Sequence, residues 1–155
     1  MRTLISIATI AAIAPLSAHA GGPAIELQGR GVQIYICAQT PAGFAWRLTG
    51  PEADLFDAYG HKAGHHFAGP SWQANDGSTV TGEIIASSVA PDLAAIPWLL
   101  LRAKSHTGTG VFDPVQYIAR IRTRGGLAPH QACDAAHAGA RQKIGYSATY
   151  ILFSG

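Results

Sequence analysis

One short stretch, His66 to Ser78, carries His66, Trp72, Gln73, Asn75, Asp76 and Ser78 around a tight turn. Hydrolytic chemistry needs a nucleophile, a base within hydrogen-bond reach and a third group that orients the base. His66, Asp76 and Ser78 are the right residue types for that trio. However, no GxSxG elbow surrounds Ser78, and turn geometry alone accounts for Asp76-Gly77-Ser78. A small secreted hydrolase using His66 with Asp76 or Ser78 is therefore the alternative reading.

The histidines raise metal chemistry next. His61 and His65 share one face of a hairpin if the segment is extended, with His66 pointing the opposite way. Imidazole suits zinc or copper. Yet the Cys/His and HExxH spacings of familiar sites are missing, and surface histidines are the plainer explanation. No cofactor is expected. Paired carboxylates of the glycosidase kind are weakly signalled: Asp54 and Asp57 have opposite pleat parity, while Glu83 with Asp76 or Asp113 is one pairing among many. Gly108-x-Gly110 has Asp113 where a dinucleotide loop needs glycine, and no crossover helix follows.

Arginine offers a sharper pattern. Val115 to Arg124 alternates, which predicts Val115, Tyr117, Ala119 and Ile121 on one face and Arg120, Arg122 and Arg124 on the other. Arg102 and Lys104 can join that face from a neighbouring strand. Such guanidiniums bind carboxylates bidentately, although a solvated strand face gives the same pattern. Trp46, Trp72 and Trp98 could stack on a sugar, but tryptophan in such strands more often fills the core.

The elements that must hold these residues are short extended segments bounded by Gly, Pro, Asn and Asp. Strands are predicted over 32–37, 44–49, 53–59, 79–86, 98–104, 115–124 and 145–153, with a further segment ending near Trp72-Gln73. Asn75-Asp76-Gly77-Ser78 is the strongest turn signal. Residues 90–97 hold two prolines and should be irregular, and Asp134 should cap one or two helical turns. Seven or eight strands with no long 3.6-residue period predict an all-β fold, an antiparallel β-sandwich or barrel.

Charge and leader narrow the setting. The 155 residues are 48% hydrophobic and only 13% charged, against about 25% charged in an average domain. Disorder is excluded by the apolar content, and dedicated nucleic-acid binding by 11 basic residues set against 9 acidic ones. Arg2, the apolar run from Leu4 to Leu16 and Ala18-His19-Ala20 read as a signal peptide over residues 1–20, followed by a single β domain over 21–155. No later run is long enough to be an integral membrane segment, so a secreted or periplasmic location is expected. In that oxidising setting Cys37 and Cys133 are expected to form one disulfide closing nearly the whole domain.

Several segments then form a recognisable series. Pro51-Glu52-Ala53-x-Leu55 is followed by His66-x-x-Gly69-Pro70-x-Trp72 and Asp76-Gly77-Ser78-x-Val80. Ile96-Pro97-Trp98, Tyr117-Ile118-x-Arg120, Gly125-Gly126-x-Ala128-Pro129, Cys133 and Tyr146-x-Ala148-x-Tyr150 complete it. In that order, over about residues 25 to 153, the chain resembles DUF3455, an exported family of unknown function found in bacteria and fungi. The resemblance implies a secreted single domain and carries no activity with it. His65 departs from the family, where lysine more often precedes the His-Phe pair.

Together these features predict an exported, non-enzymatic binding module for a glycan or small anion. Its expected ligand residues are His66, Trp72, Asp76, Trp98, Arg120 and Arg122.

Overall fold

The computed structural model describes residues 23–154, so the leader expected over residues 1–20 lies outside the described residues. Eight strands follow in chain order: β1 (Ile25–Thr40), β2 (Gly43–Phe56), β3 (Lys62–Phe67), β4 (Ser71–Ala74), β5 (Thr79–Ser88), β6 (Trp98–Thr107), β7 (Val115–Gly125) and β8 (Arg141–Ser154). Each pairs antiparallel with the next, and β8 returns to β1 from Ile25↔Leu152 to Ile36↔Arg141. The sheet closes on itself as a barrel. Among the described residues no helix is long and apolar enough to cross a membrane.

Eight strands leave an interior that side chains can fill, or that can hold one small ligand. Leu27, Leu55, Trp72, Val80, Leu101, Phe112, Ile118, Tyr150 and Leu152 supply the buried core. The Cys37–Cys133 disulfide ties β1 to the loop before β8 across 96 residues of sequence. Just beyond it, Asp134 caps a single 3-10 turn, Ala135–His137, by accepting from the Ala136 and His137 amides.

The turns obey local rules. Gly77 sits at φ 90°, where a side chain would be strained, and the Asp76 carboxylate accepts the Ser78 amide at 2.9 Å. Where the sequence predicts two strands over 44–59, one long strand runs through Gly50-Pro51. A register shift opposite Ile34/Tyr35 absorbs the irregularity, with Gly50 at φ 146°.

The arginine face is the main correction. β7 shifts register twice, between Val115 and Tyr117 and between Ile121 and Arg124, where Arg122 adopts φ 49°. Each extra residue reverses the pleat parity. Val115, Ile118 and Thr123 are therefore buried while Tyr117 is exposed, so Val115, Tyr117, Ala119 and Ile121 do not share a face. Arg120 follows the parity of Ile118 into the barrel, whereas Arg122 and Arg124 face solvent. The three arginines do not form one surface.

Candidate functional site

The interior site begins with a cross-strand pair. His66 of β3 lies directly opposite Trp72 of β4. Their rings stack with centroids 4.4 Å apart and 15° between planes, and Tyr150 of β8 closes against both. His66 is 3% exposed, and its Nδ1 lies 2.8 Å from the Ser71 carbonyl. A carbonyl only accepts, so Nδ1 carries the proton and Nε2 is left as an acceptor. Burial lowers the His66 pKa to about 3; the Ser71 carbonyl opposes that shift and the nearby Arg120 charge adds to it. His66 is thus neutral at ordinary pH.

Arg120 reaches the same place from β7, where it is paired in register with Tyr150. Its Nε and Nη2 donate to the Pro97 carbonyl at 3.1 and 2.8 Å. Burial works against the guanidinium charge, while Tyr150, Tyr146 and Tyr35 favour it. Among the described residues, no carboxylate oxygen forms an ion pair with Arg120 within 4 Å. These contacts leave part of its five-donor fork unused.

Hydroxyls and an amide complete the surroundings. Tyr146 and Tyr150 share a hydrogen bond of 3.0 Å, and Tyr35 donates to the Gly126 carbonyl at 2.7 Å. Burial raises the pKa of all three phenols, that of Tyr150 most. Gly29 makes room for Tyr150, because a Cβ there would stand 2.5 Å from its Cε2. Gln33 is 2% exposed, yet its Oε1 has no hydrogen-bond partner.

Gln33, His66 and Arg120 line a cleft of about 460 Å³. Leu48, Pro51, Pro70, Ile84, Pro97 and Leu99 form its apolar walls. That volume falls within the ~300–1,000 Å³ of small-molecule sites, as does the mix of apolar wall and few polar groups. A larger hollow of about 680 Å³, around Leu93, Gly126, Pro129 and Gln142, is lined by no Asp, Glu, Lys or Arg among the described residues.

Of the six expected ligand residues, the fold brings His66, Trp72 and Arg120 together. The other three lie elsewhere. Asp76 accepts from the amide and hydroxyl of Ser78 and from the Val111 amide at 2.6–2.9 Å, which holds its carboxyl below the usual range. Trp98 is half-buried in an outer depression with Leu100, Ala119 and Ile121, and Arg122 lies 3.4 Å from Glu26. The tryptophans form no sugar platform, since Trp72 is core and the Trp46 indole donates to the Gln131 carbonyl.

The hydrolase trio is likewise divided. Ser78, fully buried, donates its Oγ proton to Asp76 at 2.6 Å and accepts the Phe112 amide at 3.1 Å. His66 instead bonds Ser71, so the histidine is not the serine's hydrogen-bond partner. Serine and aspartate act here as a brace between two loops. His61 lies 3.4 Å from Asp57 and His65 3.1 Å from Asp54, which also takes Lys62 at 2.8 Å. Among the described residues no group of three or more His, Cys, Asp or Glu is placed to hold a metal ion.

A family described as protein of unknown function, DUF3455, matches residues 17–154. The chain belongs to that family. No curated protein and no solved structure matches it. In this DUF3455 domain, sequence reasoning missed Gln33 in the cleft lining and the bonded pair Tyr146 and Tyr150 packed behind it. Their signal was present but faint: polar residues at inward parity on β1 and β8, with Gly29 paired beside Ala148.

Proposed function

We propose that this domain is an exported, non-enzymatic binding protein that holds a small anionic ligand in the barrel cleft on Arg120. The carrying observation is the guanidinium turned into the barrel with no carboxylate partner among the described residues. A cation withdrawn from water calls for compensation, and an incoming anion supplies it through charge-assisted hydrogen bonds. The disulfide supports an oxidising location, in keeping with the expected leader. Between the two ligand classes expected from sequence, the anion is favoured over the glycan, because Trp72 is spent on the core.

The test is differential scanning fluorimetry at low salt with acetate, butyrate and inorganic phosphate. Binding to the folded state alone raises the melting temperature with ligand concentration. A rise with organic anions that disappears in Arg120→Gln is expected. Unchanged melting with every anion refutes the proposal.

A further inference from the structure

We propose that the ligand is a hydroxy-carboxylate with an apolar chain: its carboxylate on Arg120, its hydroxyl on Gln33, its chain against Leu48 and Ile84. This rests on the reading of the Arg120 cleft as the binding site. Three features of the cleft, taken separately, select three parts of the molecule.

Charge comes first. Among the described residues, Arg120 is the only Lys or Arg in the cleft lining and no acid lines it, while His66 is buried, stacked on Trp72 with Tyr150 tilted against it. With Nδ1 committed to the Ser71 carbonyl, His66 offers an acceptor and no positive charge. One charge is matched by one carboxylate, and a dianionic phosphate brings an excess. The planar guanidinium fork suits a carboxylate in the same way.

The hydroxyl follows from the orphaned acceptor. Gln33 is 98% withdrawn from solvent, lines the cleft, and leaves Oε1 without a partner. A buried unpaired polar atom is costly, so a ligand that donates to it gains more than one that does not. A bare carboxylate has no proton to donate, whereas a hydroxyl at the β carbon has. A site built to bond a hydroxyl discriminates against analogues that lack it.

The chain follows from the mouth. Leu48 and Ile84 line the cleft from β2 and β5 and are 54% and 57% exposed. Pro51, Pro70 and Leu99 continue the apolar wall. Each methylene laid on that wall leaves water, and affinity rises with chain length.

Titration calorimetry on the disulfide-bonded domain, below micelle-forming concentrations, separates the parts. The probes are acetate, decanoate, β-hydroxydecanoate, decanol and decyl phosphate. We expect β-hydroxydecanoate to bind about tenfold tighter than decanoate, and decanoate to exceed acetate by at least about a hundredfold. Decanol and decyl phosphate should both bind more weakly than decanoate. Gln33→Leu should remove the hydroxyl preference while decanoate still binds, and its melting temperature should not fall, because an unpartnered polar group is lost.

The failures are distinguishable. Equal affinity for decanoate and β-hydroxydecanoate overturns the Gln33 assignment, and acetate matching decanoate overturns the chain. Decyl phosphate binding as tightly as decanoate overturns the charge match. In all three cases the Arg120 site itself stands. Binding of every probe undiminished by Arg120→Gln overturns the site and the ligand together.

Discussion

Breaking the Cys37–Cys133 bridge should cost this domain more stability than any single surface change. The bridge spans 96 residues, so in the chain-entropy treatment it removes about 16 cal/mol/K from the unfolded ensemble, or about 4.7 kcal/mol at 25 °C. A folded unit of roughly 130 residues unfolds with an entropy near 0.27 kcal/mol/K. The ratio predicts a fall in melting temperature of about 17 °C on reduction. The native barrel should survive below that temperature, because Cys37 keeps its backbone bonds to Gly139 and Ala140 at 2.9 Å and both of its neighbouring strands. Calorimetry of the oxidised protein, the phosphine-reduced protein and the Cys37→Ala/Cys133→Ala double variant tests this, with circular dichroism to follow the fold. The two thiol-free or reduced forms should melt within a few degrees of each other. A fall of less than about 5 °C in both refutes the reasoning, since the unfolded chain then gains little freedom from losing the bridge.

Three further outcomes follow from the interior. Gly29→Ala drives a methyl into the Tyr150 ring and should cost about 1–3 kcal/mol in urea denaturation; an unchanged midpoint would mean that the barrel wall yields freely. Ser78→Ala leaves the Phe112 amide without its acceptor and should cost about 1–3 kcal/mol, whereas ligand binding in the cleft, whose lining does not include Ser78, should not change. Folded His66 is held at about 3 against an ordinary 6.5, so the unfolded chain takes up the proton first as pH falls. Stability is therefore complete above about pH 6.5 and declines toward pH 3, by on the order of 5 kcal/mol over the window. His66→Gln should flatten the pH 6.5–5 part of the urea-midpoint profile; identical slopes in the two proteins would refute the neutral, buried histidine.

Much of the architecture was legible in residue pattern. Asn75–Ser78 encodes its turn because glycine alone accepts φ 90° without strain and aspartate bonds the backbone two residues on. Asp134 announces its cap for the same local reason. The two cysteines had one partner each to choose. The leucine, isoleucine and aromatic residues at alternating positions named the all-β class, because a strand buries every second residue.

The site was legible only in part. His66, Trp72 and Arg120 stood among the expected ligand residues, but so did Asp76, Trp98 and Arg122, and local pattern had no means of separating the two groups. Chemistry-bearing residues advertise what they can do and not whom they face. Ser78 and Asp76 look like a catalytic pair because a loop brace uses the same hydrogen bonds as a nucleophile and its orienting acid.

Sequence by itself thus determined the class of fold, the turns, the disulfide pair and the family, all of which depend on near neighbours or on counting. Tertiary structure alone decided that the sheet closes, and which way Arg120 points. Closure depends on β8 meeting β1 more than a hundred residues away, where no local propensity reaches. The direction of Arg120 depends on single-residue bulges in β7, set by its register against β8. One extra residue turns a strand's faces over, and with that a charge expected on the surface becomes a cation in the lining of the cleft.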